Sequence, residues 1–153
     1  MNDTQTLFAC FLTRMVVGGI MLREGVGKLQ AGFGANEGAR GFIEQNLHAG
    51  ATFHFYRGFL EHTVLPHIKL FSYLVMFGEL SVGVLLLLGL LTRWAALVGL
   101  WMMVNFALTQ GAGFEPANTW AFALLFFVLA SSGAGRVLGV DGWLRGRVPD
   151  WMA

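Results

Sequence analysis

The chain has 153 residues, of which 56% are hydrophobic and only 12% charged, with a mean hydropathy of +0.62. A water-soluble domain carries about 25% charged residues, so this composition excludes an ordinary soluble enzyme and a disordered chain alike. A net charge of +1 provides no basic face for nucleic acid, and the lone Cys10 excludes an intrachain disulfide or a multi-cysteine metal site. What remains is one integral membrane domain, residues 1–153.

A bilayer core of about 30 Å is crossed by about 20 mostly apolar residues in helix. Trp94 to Phe114 and Pro116 to Gly135 carry no charge, Leu70 to Leu91 carries only Glu79, and Leu7 to Leu22 carries only Arg14. The apolar pattern of the first run continues to Leu29. The chain is therefore expected to be all-α, an integral membrane four-helix bundle with spans at about 6–29, 69–91, 94–110 and 118–135. Leu91-Thr92-Arg93-Trp94 is short enough to force an antiparallel hairpin between the second and third spans. The first run lacks a basic leader and is too long for a cleaved signal peptide. Four spans put both termini on one side. Arg93, Arg136, Arg145 and Arg147 hug the short turn and the tail, so that side is expected to be cytoplasmic.

Residues 30–68 form the one long connection, between the first and second helices. Ala31 to Gly41 is rich in small residues, and Phe42 to Leu47 and Phe53 to Leu65 mix aromatics with charge, as short helices on a membrane surface do. His48, His54, His62 and His67 all lie here without the i, i+4 spacing of a helical metal pair, so neither a metal site nor intramembrane haem ligation is expected. Trp94, Trp120, Trp143 and Trp151 fall near span ends or in the tail, where interfacial anchors belong; Trp101 lies within a span.

Arg14 and Glu79 are the charges that sit well inside apolar runs. A charge near the bilayer centre costs about 2.5–3.5 kcal/mol on insertion scales, so each needs a partner or a cavity. At 1.5 Å per residue Arg14 lies roughly 16 Å from Asp3, and Glu79 roughly 21 Å from Arg93, so the two reach similar depths. An Arg14–Glu79 pair between the first and second helices is expected. Two readings stand beside each other: an ion pair that only fixes helix register, and a polar site for a ligand or proton. Arg14, Gly18, Gly25 and Lys28 share one stripe of the first helix, and Glu24 is placed to pair with Lys28. Ser72, Glu79 and Gly83 share a stripe of the second helix, where small residues permit close approach. Trp101 and Asn105 lie one turn apart on the third helix and are candidates to face the same interior.

Two stretches resemble the DoxX/DoxD family of small four-helix membrane proteins. One runs from Arg14-Met-Val-Val-Gly18 to Gly25-Val-Gly-Lys28-Leu29; the other from Gly78-Glu79-Leu80 to Leu88-Gly89-Leu90-Leu91-Thr92-Arg93, followed by Ala95-Ala96-Leu97. Met103-Val-Asn105-Phe and Gly135-Arg136-x-x-Gly139-Val140-Asp141 are also similar. The resemblance implies a membrane subunit of a quinone-linked oxidoreductase, like the small subunit of thiosulfate:quinone oxidoreductase. It implies quinone as cofactor, with Arg14 and Glu79 as catalytic groups at the two carbonyls and Trp101 and Asn105 as a stacking and hydrogen-bonding wall. Implied partners are the lipid bilayer, other redox subunits and a second copy of the chain. The alternatives are a non-catalytic anchor that assembles a partner protein and, less favoured, a small transporter.

Overall fold

The computed structural model describes residues 3–111, 114–132, 134–136 and 139–143. Among them the secondary structure is all helix, with no strand. In order these helices are α1 (Asp3–Gln30), α2 (Ala39–His48), α3 (His54–Phe59), α4 (Ile68–Leu88), α5 (Thr92–Gln110), α6 (Phe114–Ser132) and α7 (Val140–Trp143). The four long helices occupy the four apolar stretches. α1 packs along α4, α4 on α5 and α5 along α6, and α6 returns to α1. The segment His54–Leu88 is long and apolar enough to cross a membrane; Asn118–Ser132 is a shorter apolar helix. Trp151, Arg145 and Arg147 lie outside the described residues.

The connection between α1 and α4 differs from the expected loop. α2 buries Ala39, Ile43 and Leu47 against Leu60, Val64 and Ile68, forming a second small core beside the main one. Its outer face is held by Arg40, which bonds Glu37 at 3.0 Å and Glu44 at 3.3 Å. These two carboxylates raise the guanidinium above its ordinary value. The start of α2 is tied to α4 where the Ala39 N–H donates to Ser72 Oγ at 3.2 Å.

α3 does not end before α4 begins. Pro66 has no N–H to give the carbonyl of His62 and would ordinarily break a helix. Here the chain widens into a π turn at Leu60–Val64 and tightens into a 3₁₀ turn at Leu65–His67, so the rod runs on into α4. The second long helix, α4, starts at Ile68 near the expected residue 69, and the rod that leads into it begins at His54. The approach to this rod is pinned to the end of α5: Thr52 Oγ1 donates to the Thr109 carbonyl at 2.8 Å and the Phe53 N–H to that of Leu108 at 3.3 Å. Both carbonyls belong to the last turn of α5, which has no intrahelical donors left.

The α4–α5 turn is built by two left-handed residues, Gly89 at φ 63° and Leu91 at φ 49°. Gly89 N–H bonds the Leu86 carbonyl and Leu90 N–H that of Leu85, the paired ending that favours glycine just past the helix. Leu91 has no such freedom and is held in place by hydrogen bonds described below.

Candidate functional site

α1 and α4 meet through glycines. A Cβ on Gly83 would sit 2.5 Å from the Leu22 backbone nitrogen, and one on Gly25 2.7 Å from that of Leu80. Gly18 lies against Leu86 and Leu87. These contacts set an antiparallel register in which α1 residue numbers fall as α4 numbers rise, and that register decides where the charges go.

Arg14 falls level with the α4–α5 turn, not with Glu79. Its guanidinium donates to the Ala134 carbonyl at 3.1 Å, packs against Gly89 and Gly139, and has Asp141 as its counter-charge. Asp141, 2% exposed, accepts the N–H of Leu91 at 2.8 Å and of Thr92 at 2.9 Å, while its own N–H donates to the Gly89 carbonyl at 2.8 Å. It therefore caps α5 from 50 residues away and secures the strained Leu91. Arg14 locks this cap between α1 and the segment after α6.

Glu79 takes a different partner. Its Oε2 accepts from Lys28 Nζ at 2.6 Å, with Glu24 Oε2 3.9 Å from the same ammonium and the Phe33 ring 5.7 Å away. Glu79 is 3% exposed. The Arg14–Glu79 pair expected from the sequence does not form. The depth count took Asp3 as the level of the α4–α5 turn, whereas the glycine register carries the first ten residues of α1 beyond that turn. Arg14 and Glu79 end up roughly 18 Å apart along the helix axes at 1.5 Å per residue. Lys28, one of the stripe residues, is the partner that the count overlooked.

The other two candidates, Trp101 and Asn105, lie on the far side of α4. Between α2, the α3–α4 rod and α5 there is a cavity of about 540 Å³. Phe42, Tyr56, Phe71, Trp101, Asn105 and Phe106 are among its walls, and no described lining residue is charged. Phe42 meets Phe106 edge-on at 6.1 Å, and Tyr56 lies 5.3 Å from Phe59. Tyr56 Oη donates to Asn105 Oδ1, and Asn105 Nδ2 donates to the Trp101 carbonyl at 2.7 Å. An amide has two N–H groups, so this arrangement leaves the second hydrogen of Asn105 for a ligand. Trp101, 69% exposed, stands at the mouth rather than in the interior.

The four expected site residues are thus distributed over three places. Trp101 and Asn105 share the cavity, Glu79 belongs to the α1–α4 seam, and Arg14 to the end of the helix assembly. Tyr56 is the group that sequence reading missed. It lies in a segment read as surface, and its aromatic neighbours Phe53, Phe55 and Phe59 were the available signal.

A family model described as DoxX matches residues 9–112. No curated protein and no solved structure matches the chain. The matched region takes in α1 to α5, and with them the Gly-packed seam, the Lys28–Glu79 pair and the aromatic cavity. The chain belongs to the DoxX family, a family of membrane-associated proteins.

Proposed function

We propose that the chain is a membrane subunit of a quinone-linked oxidoreductase or respiratory complex, and that the cavity between α4 and α5 receives the quinone ring. In this reading α1, α4, α5 and α6 all cross the cytoplasmic membrane of a bacterium or archaeon, with both termini on the cytoplasmic side. Large exposed apolar side chains on every one of the four support the crossing: Phe8 and Leu12, Leu74 and Phe77, Leu97 and Trp101, Leu124 and Phe127. Such a girdle suits lipid and would be costly against water.

The observation that carries the quinone reading is the cavity's chemistry. A quinone is a flat apolar ring with two carbonyl acceptors, and it gains from aromatic walls and a few placed donors. Phe42, Phe71 and Phe106 supply walls, and the second N–H of the Asn105 amide, whose oxygen is held by the Tyr56 hydroxyl, supplies a donor. The volume lies within the range of about 300–1,000 Å³ usual for small-molecule sites. The residues present fit the group. Bound there, a quinone would supply two-electron acceptor chemistry. The chain's own residues bind and orient the ring and keep water from it. The phenol of Tyr56 donates to Asn105 Oδ1 and holds the Asn105 amide in one orientation. No carboxylate or ammonium lines the cavity among the described residues, so the site binds rather than delivers protons. The sequence holds no CxxC and no paired histidines in an apolar run, and electrons are proposed to arrive from a partner redox subunit.

A purely anchoring role is the second reading. It is favoured by one observation: Arg14 and Glu79 are both engaged in helix-to-helix contacts, as a register-fixing function requires. Mass spectrometry of a lipid extract from gently purified protein separates the two. The quinone reading predicts quinone approaching one per chain, above that in the surrounding lipid. Quinone at the lipid background in a preparation that retains its partner subunits would leave the anchor.

A further inference from the structure

We infer that the α4–α5 cavity is filled sideways from the bilayer, and that it takes a neutral, tailed amphiphile whose head lies at Tyr56–Asn105 and whose tail leaves past Leu74, Phe77, Val98 and Trp101. The inference rests on the membrane crossing proposed above, and it names the ligand class and path for the same site. Three observations carry it.

First, the cavity is continuous with the lipid-facing surface. Leu70, Leu74, Phe77, Val98 and Trp101 line it and are also 57%, 57%, 53%, 47% and 69% exposed. These residues form a lateral mouth between α4 and α5. At the opposite side the cavity is closed by α2 and the π-turn residues Leu60 and Val64, both buried. Second, the polarity is graded along the helices. Tyr56, Asn105 and Thr109 lie toward the end of α5 where the chain leaves Gln110, whereas Val98 and Phe77 lie toward the middle of α5 and α4. From Leu70 to Ser81 the lining spans roughly 16 Å of α4 at 1.5 Å per residue. An amphiphile already standing in a bilayer, head toward the interface and tail toward the midplane, has this polarity without turning over. Third, the head position offers a single amide–phenol pair and no charge. An anionic head would find no cation among the described lining residues, and burying an unpaired charge is strongly disfavoured. A neutral acceptor head can take the remaining Asn105 hydrogen.

Gly78 lies against Met102, where a Cβ would sit 2.9 Å from Met102 Sδ, so α4 and α5 are in contact at this level.

The test uses the full-length protein in lipid nanodiscs, with bound probe quantified by mass spectrometry against empty nanodiscs. Four probes are compared: decylubiquinone, its tail-less parent quinone, monodecanoyl glycerol and decanoate. Decylubiquinone is expected to be retained, the tail-less parent at least tenfold less, and decanoate at the empty-disc level. Val98→Trp and Leu74→Trp, both on the exposed mouth, are expected to reduce decylubiquinone retention at least tenfold. The unfolding midpoint of each variant is measured alongside, so that loss of retention is read on folded protein. Because variant and wild type are compared in the same lipid, partitioning of the tail into the bilayer cancels. Retention of monodecanoyl glycerol but not decylubiquinone would end the quinone reading and leave the lateral path standing. Equal retention of the tailed and tail-less quinones, indifference to both tryptophan substitutions, retention of decanoate, or retention of no probe would overturn the lateral path.

Discussion

α4 has two faces, and they are opposites. Toward α1 it presents Glu79 and Gly83, both buried, in a seam tight enough that a methyl group on Gly83 would strike the Leu22 backbone. Toward α5 and α2 it presents Leu70, Leu74, Phe77 and Ser81 around an open cavity without charge. The buried charges gather where helices touch, and the space gathers where they do not. In this protein an ionisable group in an apolar run marks a fastening, and the binding chemistry proposed above falls to a neutral amide held by a phenol. Lys28–Glu79 ties α1 to α4, and Arg14, bonded to the Ala134 carbonyl beside Asp141, ties α1 to the segment after α6.

The comparison can be broken by removing one fastening at a time. Arg14→Leu removes the buried guanidinium that bonds the Ala134 carbonyl beside Asp141, a loss of about 1–3 kcal/mol. It should appear as a large fall in the midpoint of thermal unfolding in detergent, read by exposure of the single Cys10 thiol. Partial recovery in the double variant Arg14→Leu/Asp141→Leu is limited by loss of the α5 cap. Gly83→Ala and Gly25→Ala overfill the α1–α4 seam and should each cost about 1–3 kcal/mol by the same melt. Glu79→Gln keeps an acceptor for Lys28 and should cost about 1–2 kcal/mol. On the other face, Tyr56→Phe removes one neutral hydrogen bond, worth about 1 kcal/mol or less in stability. It frees the Asn105 amide to turn, so it should weaken ligand retention more than it lowers the melt.

The sequence reveals the helices well because runs without charge are long and the breaks between them short. It also reveals the seam: Gly18, Gly25 and Gly83 are legible as stripes, and the structure uses them as close contacts. Pairing was not legible. Depth counted from Asp3 presumes that α1 begins level with its neighbours, and only the packing register shows that it begins beyond them. Asp141 was invisible as a cap because it acts on Leu91 and Thr92 across 50 and 49 residues. The continuous rod from His54 to Leu88 was hidden by Pro66, since a proline reads as a break until a π turn is seen to absorb it. Half of the cavity was in view, through Trp101 and Asn105 one turn apart; the other half depends on α2 and α3 folding back over α5.

The central claim is that ligand binding belongs to the neutral cavity and not to the buried ion pair. The most direct measurement is the quinone content per chain of Asn105→Ala and Glu79→Gln, purified alongside the unaltered protein in the same lipid. The account predicts that Asn105→Ala falls to the lipid background while Glu79→Gln, though less stable, keeps the unaltered content. Loss of quinone from Glu79→Gln with retention by Asn105→Ala would contradict it and return the site to the α1–α4 seam.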